Sequence, residues 1–231
     1  MAGYVSRLAA EAAAETGQFT VALSGGSLPK LLAKDLVSQP NRSRINWASW
    51  HVFWADERCV PLDHPDSNYV AAKTVLFDQV EIPPDQIYVP NCATDPEAAA
   101  VGYEQMIRRV LQPKAGHPPR FDLILLGMGE DGHTASLFPD HPLLAEKKRW
   151  VVPIYNSPKP PPRRVTLTLP VINNAGHVAF LITGAGKAEV LPRAVTGTSP
   201  TVPAGLVTPL AGRLDWFVDE AAAANLNPGD L

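Results

Sequence analysis

Asp131 and His133 stand two residues apart in the glycine-rich turn Gly127-Met-Gly-Glu-Asp-Gly-His-Thr134, directly after the apolar run Phe121-Asp-Leu-Ile-Leu-Leu126. An imidazole carries protons near neutral pH, and an aspartate this close orients the ring or accepts its second N–H. The two residue types therefore suit a general base and its partner. The plainer alternative is a histidine whose hydrogen bonds are satisfied within a turn. The short apolar run has the pattern of a buried parallel strand, residues 127–132 form the turn, and residues 134–138 are expected to open a helix. His133 then lies at a strand's carboxyl end, the edge at which open α/β sheets hold their ligands.

A second candidate is Leu23-Ser-Gly-Gly-Ser-Leu-Pro29, between an apolar run and a helical pattern. Gly25 and Gly26 allow positive φ and close approach, while Ser27 adds a hydroxyl to the backbone N–H groups at a helix N-terminus. Such a loop binds phosphate or carboxylate, with Ser27 also available as a helix cap; an ordinary tight turn is the alternative. Gly-x-Gly-x-x-Gly is absent there. Gly184-Ala-Gly-Lys187 is not a Walker loop either, because Leu181 stands where its first glycine belongs and Ala188 where Ser or Thr should follow. Lys187 either faces the same cleft or is simply solvated.

Asp56-Glu57-Arg58 closes the run Val52-Phe53-Trp54-Ala55, so at least one of the three charges is expected to reach the cleft. Arg58 suits a phosphate or a developing oxyanion. Ser157-Pro-Lys-Pro-Pro-Pro-Arg-Arg164 fits a polyproline-ligand pattern through Pro158, Pro161 and Arg163. Lying between two expected strands, it reads instead as a stiff loop presenting Lys159 and Arg164. His51, His64, His117, His141 and His177 form no His-x-His or His-x-x-x-His pair, so the spacing gives no sign of a metal site.

The elements that must position these residues alternate. Helical patterns cover residues 5–16, 28–37, 68–80 and 96–111, the last capped by Thr94 or Asp95, and a further one at 187–195 is interrupted by Pro192. Strand patterns cover residues 19–23, 50–54, 121–126, 151–155, 164–169, 177–183 and 214–218, the last leading into residues 219–225. Strands alternating with helices imply a three-layer, Rossmann-like α/β domain, an open and mostly parallel sheet with helices on both faces. The functional edge is expected where the strands ending near Ser24, Asp56 and Gly127 open together.

A chain of 231 residues supports one core, so a single domain over residues 1–231 is expected. A net charge of −3 and a pI near 6.1 give no footprint for nucleic acid. No apolar run is long enough to span a bilayer, and the first residues carry no signal-peptide or transit-peptide pattern. Cys59 and Cys92 read as small buried hydrophobes in a reducing compartment. The 24 prolines and 16 glycines are spread between periodic segments, which argues against a linker, and no internal repeat is visible.

Together these segments, with Ser157-Pro-Lys-Pro-Pro-Pro162, Arg164-Val-Thr-Leu-Thr-Leu-Pro170 and Thr183-Gly-Ala-Gly-Lys-Ala188, resemble the 6-phosphogluconolactonases over nearly the whole chain. The serine-glycine loop and the Asp-Gly-His turn are shared with the wider glucosamine-6-phosphate deaminase-like superfamily. His-Thr-Ala-Ser-Leu-Phe-Pro and Ser-Pro-Lys-Pro-Pro-Pro are much more specific to the lactonases. The resemblance implies hydrolysis of 6-phospho-D-glucono-1,5-lactone to 6-phosphogluconate in the oxidative pentose phosphate pathway, without metal or organic cofactor. It implies His133 as general base with Asp131 beside it, and a phosphate near Gly25, Gly26, Ser27, Arg58 and Lys159. Ser24, Asp56 and Arg164 complete the expected substrate-binding set.

The expected partner is therefore a small sugar phosphate, with no nucleic acid or membrane, for a monomer in the cytoplasm or, if the chain is processed, in a plastid stroma. One departure is that family members have a further strand before the first helix, so this domain is expected to lack it. The rival enzyme is a glucosamine-6-phosphate deaminase, whose motif His-Ile-Ala-Phe-Asn-Glu-Pro has a carboxylate where this chain has Phe138. A sugar-phosphate sensor is the non-catalytic rival, and it is disfavoured by the intact His133 and by the lack of a helix-turn-helix segment.

Overall fold

A computed structural model of the chain describes residues 1–231 except Thr94, Thr198, Pro200, Pro228, Asp230 and Leu231. Helix α1 (Ala2–Thr16) turns Val5, Leu8, Ala9 and Ala12 inward at helical spacing and stops at Gly17, whose φ of 80° no side chain favours. Strand β1 (Phe19–Leu23) is buried at all five residues, as a strand covered on both faces must be. Helices α2 (Leu28–Leu36) and α3 (Asn41–Arg44) lead to β2 (Trp50–Trp54) and the short β3 (Asp56–Arg58). Ser67 caps α4 (Asn68–Val75) by accepting from the Val70 N–H, and a 3₁₀ turn at Phe77–Gln79 takes the place of its expected last turns.

Asp95 caps α5 (Pro96–Leu111) through the Glu97 N–H; Thr94, the other candidate cap, lies outside the described residues. Then come β4 (Leu123–Leu126), β5 (Val151–Ile154), β6 (Arg164–Leu167), α6 (Leu169–Ile172), β7 (His177–Ile182), α7 (Leu191–Val195) and β8 (Arg213–Val218). Pro192 sits in the first turn of α7, where its missing N–H leaves no bond unmade, so it opens that helix rather than interrupting it. Residues 185–187 form a separate 3₁₀ turn.

The strands divide into two sheets. β2-β1-β4-β7-β8 is parallel throughout, while β3-β6-β5 is a small antiparallel sheet. The expectation of a mostly parallel α/β sheet flanked by helices holds. However, residues 164–167 pair with Asp56–Arg58 on one side and with residues 151–154 on the other rather than extending the main sheet. Ala55 joins the two sheets: its N–H donates to the Leu23 carbonyl at 2.8 Å and its C=O accepts from the Leu167 N–H at 2.7 Å.

Because β1 lies between β2 and β4, the chain reverses its direction of travel across the sheet there. That reversal opens a crevice beyond the carboxyl ends of β1 and β4. Among the described residues no helix is long and apolar enough to cross a membrane.

Candidate active site

At the end of β1 the Ser24 N–H continues the ladder to the Leu125 carbonyl at 3.0 Å, after which the chain turns into α2. The two glycines that follow serve different ends. Gly26 has φ 68°, which requires positive-φ freedom. Gly25 is needed for close approach, since a Cβ there would lie 1.8 Å from Asn68 Oδ1. The amides of Gly25, Gly26 and Ser27 have no partner among the described residues and stand at the positive end of α2, an arrangement suited to an anion. Ser27 does not cap the helix. Its backbone is already helical (φ −77°, ψ −16°), whereas a capping residue needs the extended backbone that brings its oxygen over the first-turn amides.

Across the crevice, the turn after β4 is tied by the Gly129 N–H to the His133 carbonyl (2.8 Å) and the Gly132 N–H to the Gly129 carbonyl (3.0 Å). Residues 134–138 do not form a helix. Thr134 Oγ1 donates to the Gly127 carbonyl, the Leu137 N–H returns to the Thr134 carbonyl, and Ala135 has φ 47°, so the segment is a tight knuckle. The knuckle holds His133 with Nδ1 2.5 Å from Asp131 Oδ1.

Burial alone would raise the Asp131 pKa. The hydrogen bond and charge of His133, aided by Lys159, prevail and hold this carboxyl at about 2. It is ionised at neutral pH and can only accept, so Nδ1 is the donor and the Nε2 lone pair is left for chemistry. For His133 itself burial is the largest influence and lowers its pKa, against the raising effect of Asp131. Gly129 makes this packing possible, because a Cβ there would fall 2.1 Å from His133 Nδ1 and 2.4 Å from Asp131 Oδ1.

The small sheet supplies the third wall. Asp56 and Arg164, both almost fully buried, approach to 4.0 Å and are bridged by Ser136, whose hydroxyl donates to Asp56 Oδ2 at 2.6 Å and accepts from Arg164 Nη1 at 3.2 Å. The Arg164 guanidinium also donates to the carbonyls of Lys159, Pro160 and Pro161. It therefore clamps the proline loop, and the Lys159 ammonium comes to 3.2 Å from Asp131 Oδ1. Arg58 donates to the Asp66 carbonyl while lining the crevice.

Glu57, fully buried, accepts from the amides of Arg58, Asn68 and Tyr69 and from the Ser67 hydroxyl. Asn68 Nδ2 holds the Asp56 carbonyl. Of the three consecutive charges, Asp56 and Arg58 line the crevice and Glu57 points away to fasten α4.

A cavity of about 350 Å³ brings together Ser24, Gly25, Gly26, Ser27, Asp56, Arg58, His133, Lys159 and Arg164, with Asp131 immediately behind His133. Lys187, weighed above as cleft or solvent, lines it too, as do Glu130 and Thr183. Sequence reasoning missed Ser136, Asn68 and Gly129. Only the neighbourhood of the first and last to His133 hinted at them. Among the described residues no group of three His, Cys, Asp or Glu side chains gathers as a metal cage would.

Fold and site together define an open α/β protein with an anion-binding loop facing a histidine–aspartate dyad across a switch-point crevice. The chain belongs to the glucosamine-6-phosphate isomerase/6-phosphogluconolactonase family, whose profile matches residues 1–216. It is 45% identical to the probable 6-phosphogluconolactonase 3, chloroplastic, of Oryza sativa subsp. japonica, covering 98% of this chain and 72% of that protein. It is 46% identical to the 6-phosphogluconolactonase of Rattus norvegicus, covering 91% of this chain and 82% of that one. The crystal structure of 6-phosphogluconolactonase from Thermotoga maritima superposes with a TM-score of 0.80 at 32% identity, covering 94% of this chain and 92% of that one.

Proposed function

We propose that the protein hydrolyses 6-phospho-D-glucono-1,5-lactone to 6-phospho-D-gluconate, the second step of the oxidative pentose phosphate pathway. The observation that carries this reading is the His133–Asp131 dyad, with Nε2 free, facing the unpaired amides of residues 25–27 across one cavity. His133 Nε2 takes a proton from water as its oxygen attacks the lactone carbonyl, and Asp131 stabilises the imidazolium that forms. The proton then passes to the ring oxygen as the tetrahedral intermediate collapses. The Gly129 and Gly132 amides are bonded within the turn, so oxyanion stabilisation falls to other donors lining the cavity. The anion loop and Arg58 hold the phosphate, whose anchoring contributes orientation.

Phe138, buried with its ring 4.7 Å from that of His133, weighs against the deaminase reading, which needs a carboxylate at that place. A pH-stat assay with freshly generated phosphorylated lactone, run beside unphosphorylated gluconolactone and glucosamine 6-phosphate, tests the proposal. Fast acid release only from the phosphorylated lactone is expected. Ammonia from glucosamine 6-phosphate would instead establish the deaminase. The reading treats residues 1–231 as one such domain, active as a monomer in the cytoplasm. Sedimentation tests the first point and a tagged chain in its own cells the second. The chloroplastic rice relative supports the plastid stroma as the alternative compartment.

A further inference from the structure

The geometry points to Lys159 as a positioning residue of the dyad: a fixed positive charge that keeps the His133 imidazole neutral and its Nε2 ready to accept, rather than an anchor for the phosphate. This rests on the lactonase reading for its place in the reaction, though not for its place in the protein. Three atoms meet at one point. Asp131 Oδ1 accepts from His133 Nδ1 at 2.5 Å and from Lys159 Nζ at 3.2 Å, and Nζ lies 3.4 Å from Nδ1. Nδ1–H and the ammonium are both donors, so their contact is repulsive, and it worsens once the ring gains a second proton and a full charge.

The backbone that carries the lysine is held in place. Its carbonyl accepts from Arg164 Nη2 at 2.8 Å and from the Ser157 hydroxyl at 2.7 Å, which fixes the backbone from which the side chain reaches.

Other charges face the imidazole. Asp131, from its own turn, and Asp56, from β3, favour the protonated ring, whereas Lys159 opposes it. Arg164, from β6, stands 5.6 Å from the Phe138 ring that packs on His133, and Arg58, Glu130 and Lys187 line the same cavity farther along. Without Lys159 the carboxylates would act unopposed, and a larger share of the enzyme would carry a protonated histidine unable to act as a base.

The test is the pH profile of kcat/KM for wild type, Lys159→Met and Lys159→Arg, together with the NMR titration of the His133 imidazole in the free proteins. Lys159→Met is expected to move both the acid limb and the imidazole titration to higher pH. The pH 8 to pH 6 activity ratio should then grow, with about tenfold as the ceiling for a full unit of displacement. Lys159→Arg should stay near wild type. A phosphate anchor would behave otherwise, raising KM for the phosphorylated lactone alone and leaving both titrations in place. That result, or any unmoved titration in folded Lys159→Met, overturns the inference. The NMR arm needs no substrate, so a wild-type protein inactive on the lactone would sink the functional reading while leaving this one to stand or fall by itself.

Discussion

His133 is buried enough to resist a charge, yet it keeps a carboxylate on Nδ1 that would stabilise that charge in the proposed reaction. Replacing it with Ala or Gln should reduce kcat by on the order of 100- to 10,000-fold with product affinity and fold retained, because its work starts only when water attacks. Asp131→Asn should lose less, since the amide still holds the ring but does not stabilise imidazolium. Single-turnover rates and circular dichroism check both variants, and a folded His133→Ala enzyme with near-wild-type kcat would discard the mechanism. For wild type, kcat/KM should fall towards acid as the imidazole gains its proton. Burial lowers the His133 pKa, so the fall belongs below the ordinary value of about 6.5. A limb centred above that value contradicts the environment described. Gly129→Ala is the sharpest structural test, because its methyl would occupy the space of the His133–Asp131 hydrogen bond. Its kcat should approach that of Asp131→Asn, and a variant with unchanged kcat would show that the turn yields freely.

The elements that carry the site were legible in proportion to how local their causes are. Phe19–Leu23, Trp50–Trp54 and Pro96–Leu111 agree with their sequence patterns to the residue, because apolar periodicity, Asp95 and Pro96 act within a few positions. The Thr134–Phe138 knuckle was not legible. Its shape comes from Thr134 Oγ1 reaching back to Gly127, and from Ser136 bridging Asp56 and Arg164, 80 positions before it and 28 after it. The dyad could be read because both members lie in one turn. By contrast, the meeting of Lys159 with Asp131, 28 positions before it, is set by tertiary packing that no local pattern encodes. The same holds for Glu57, read as one of three charges closing a strand and found to be the fastening of α4. Glu57→Ala leaves three amides and a hydroxyl without their acceptor and should lower stability by on the order of 3 kcal/mol, seen as a lower denaturation midpoint. A midpoint within error of wild type would mean that water replaces the carboxylate fully.

Across the whole molecule the charge balance runs against the proposed ligand, since a chain of net charge −3 has to admit a phosphate dianion. Arg164 is engaged with Asp56 and Lys159 with Asp131, whereas Arg58 and Lys187 line the cavity with no ion pair among the described residues. Their strands place these two cations on either side of the β1/β4 crevice, Arg58 in β3, which continues from β2, and Lys187 after β7. Added salt should therefore weaken capture and spare turnover. Raising ionic strength from about 0.01 M to 1 M shortens the screening length from about 30 Å to about 3 Å, so KM should climb while kcat holds. Stopped-flow association that is indifferent to salt would refute this. On the proposed binding mode, a mouth of this kind would steer its traffic: the dianion would be drawn phosphate first to the floor beside α2, and the lactone, trailing, would reach the imidazole already facing it.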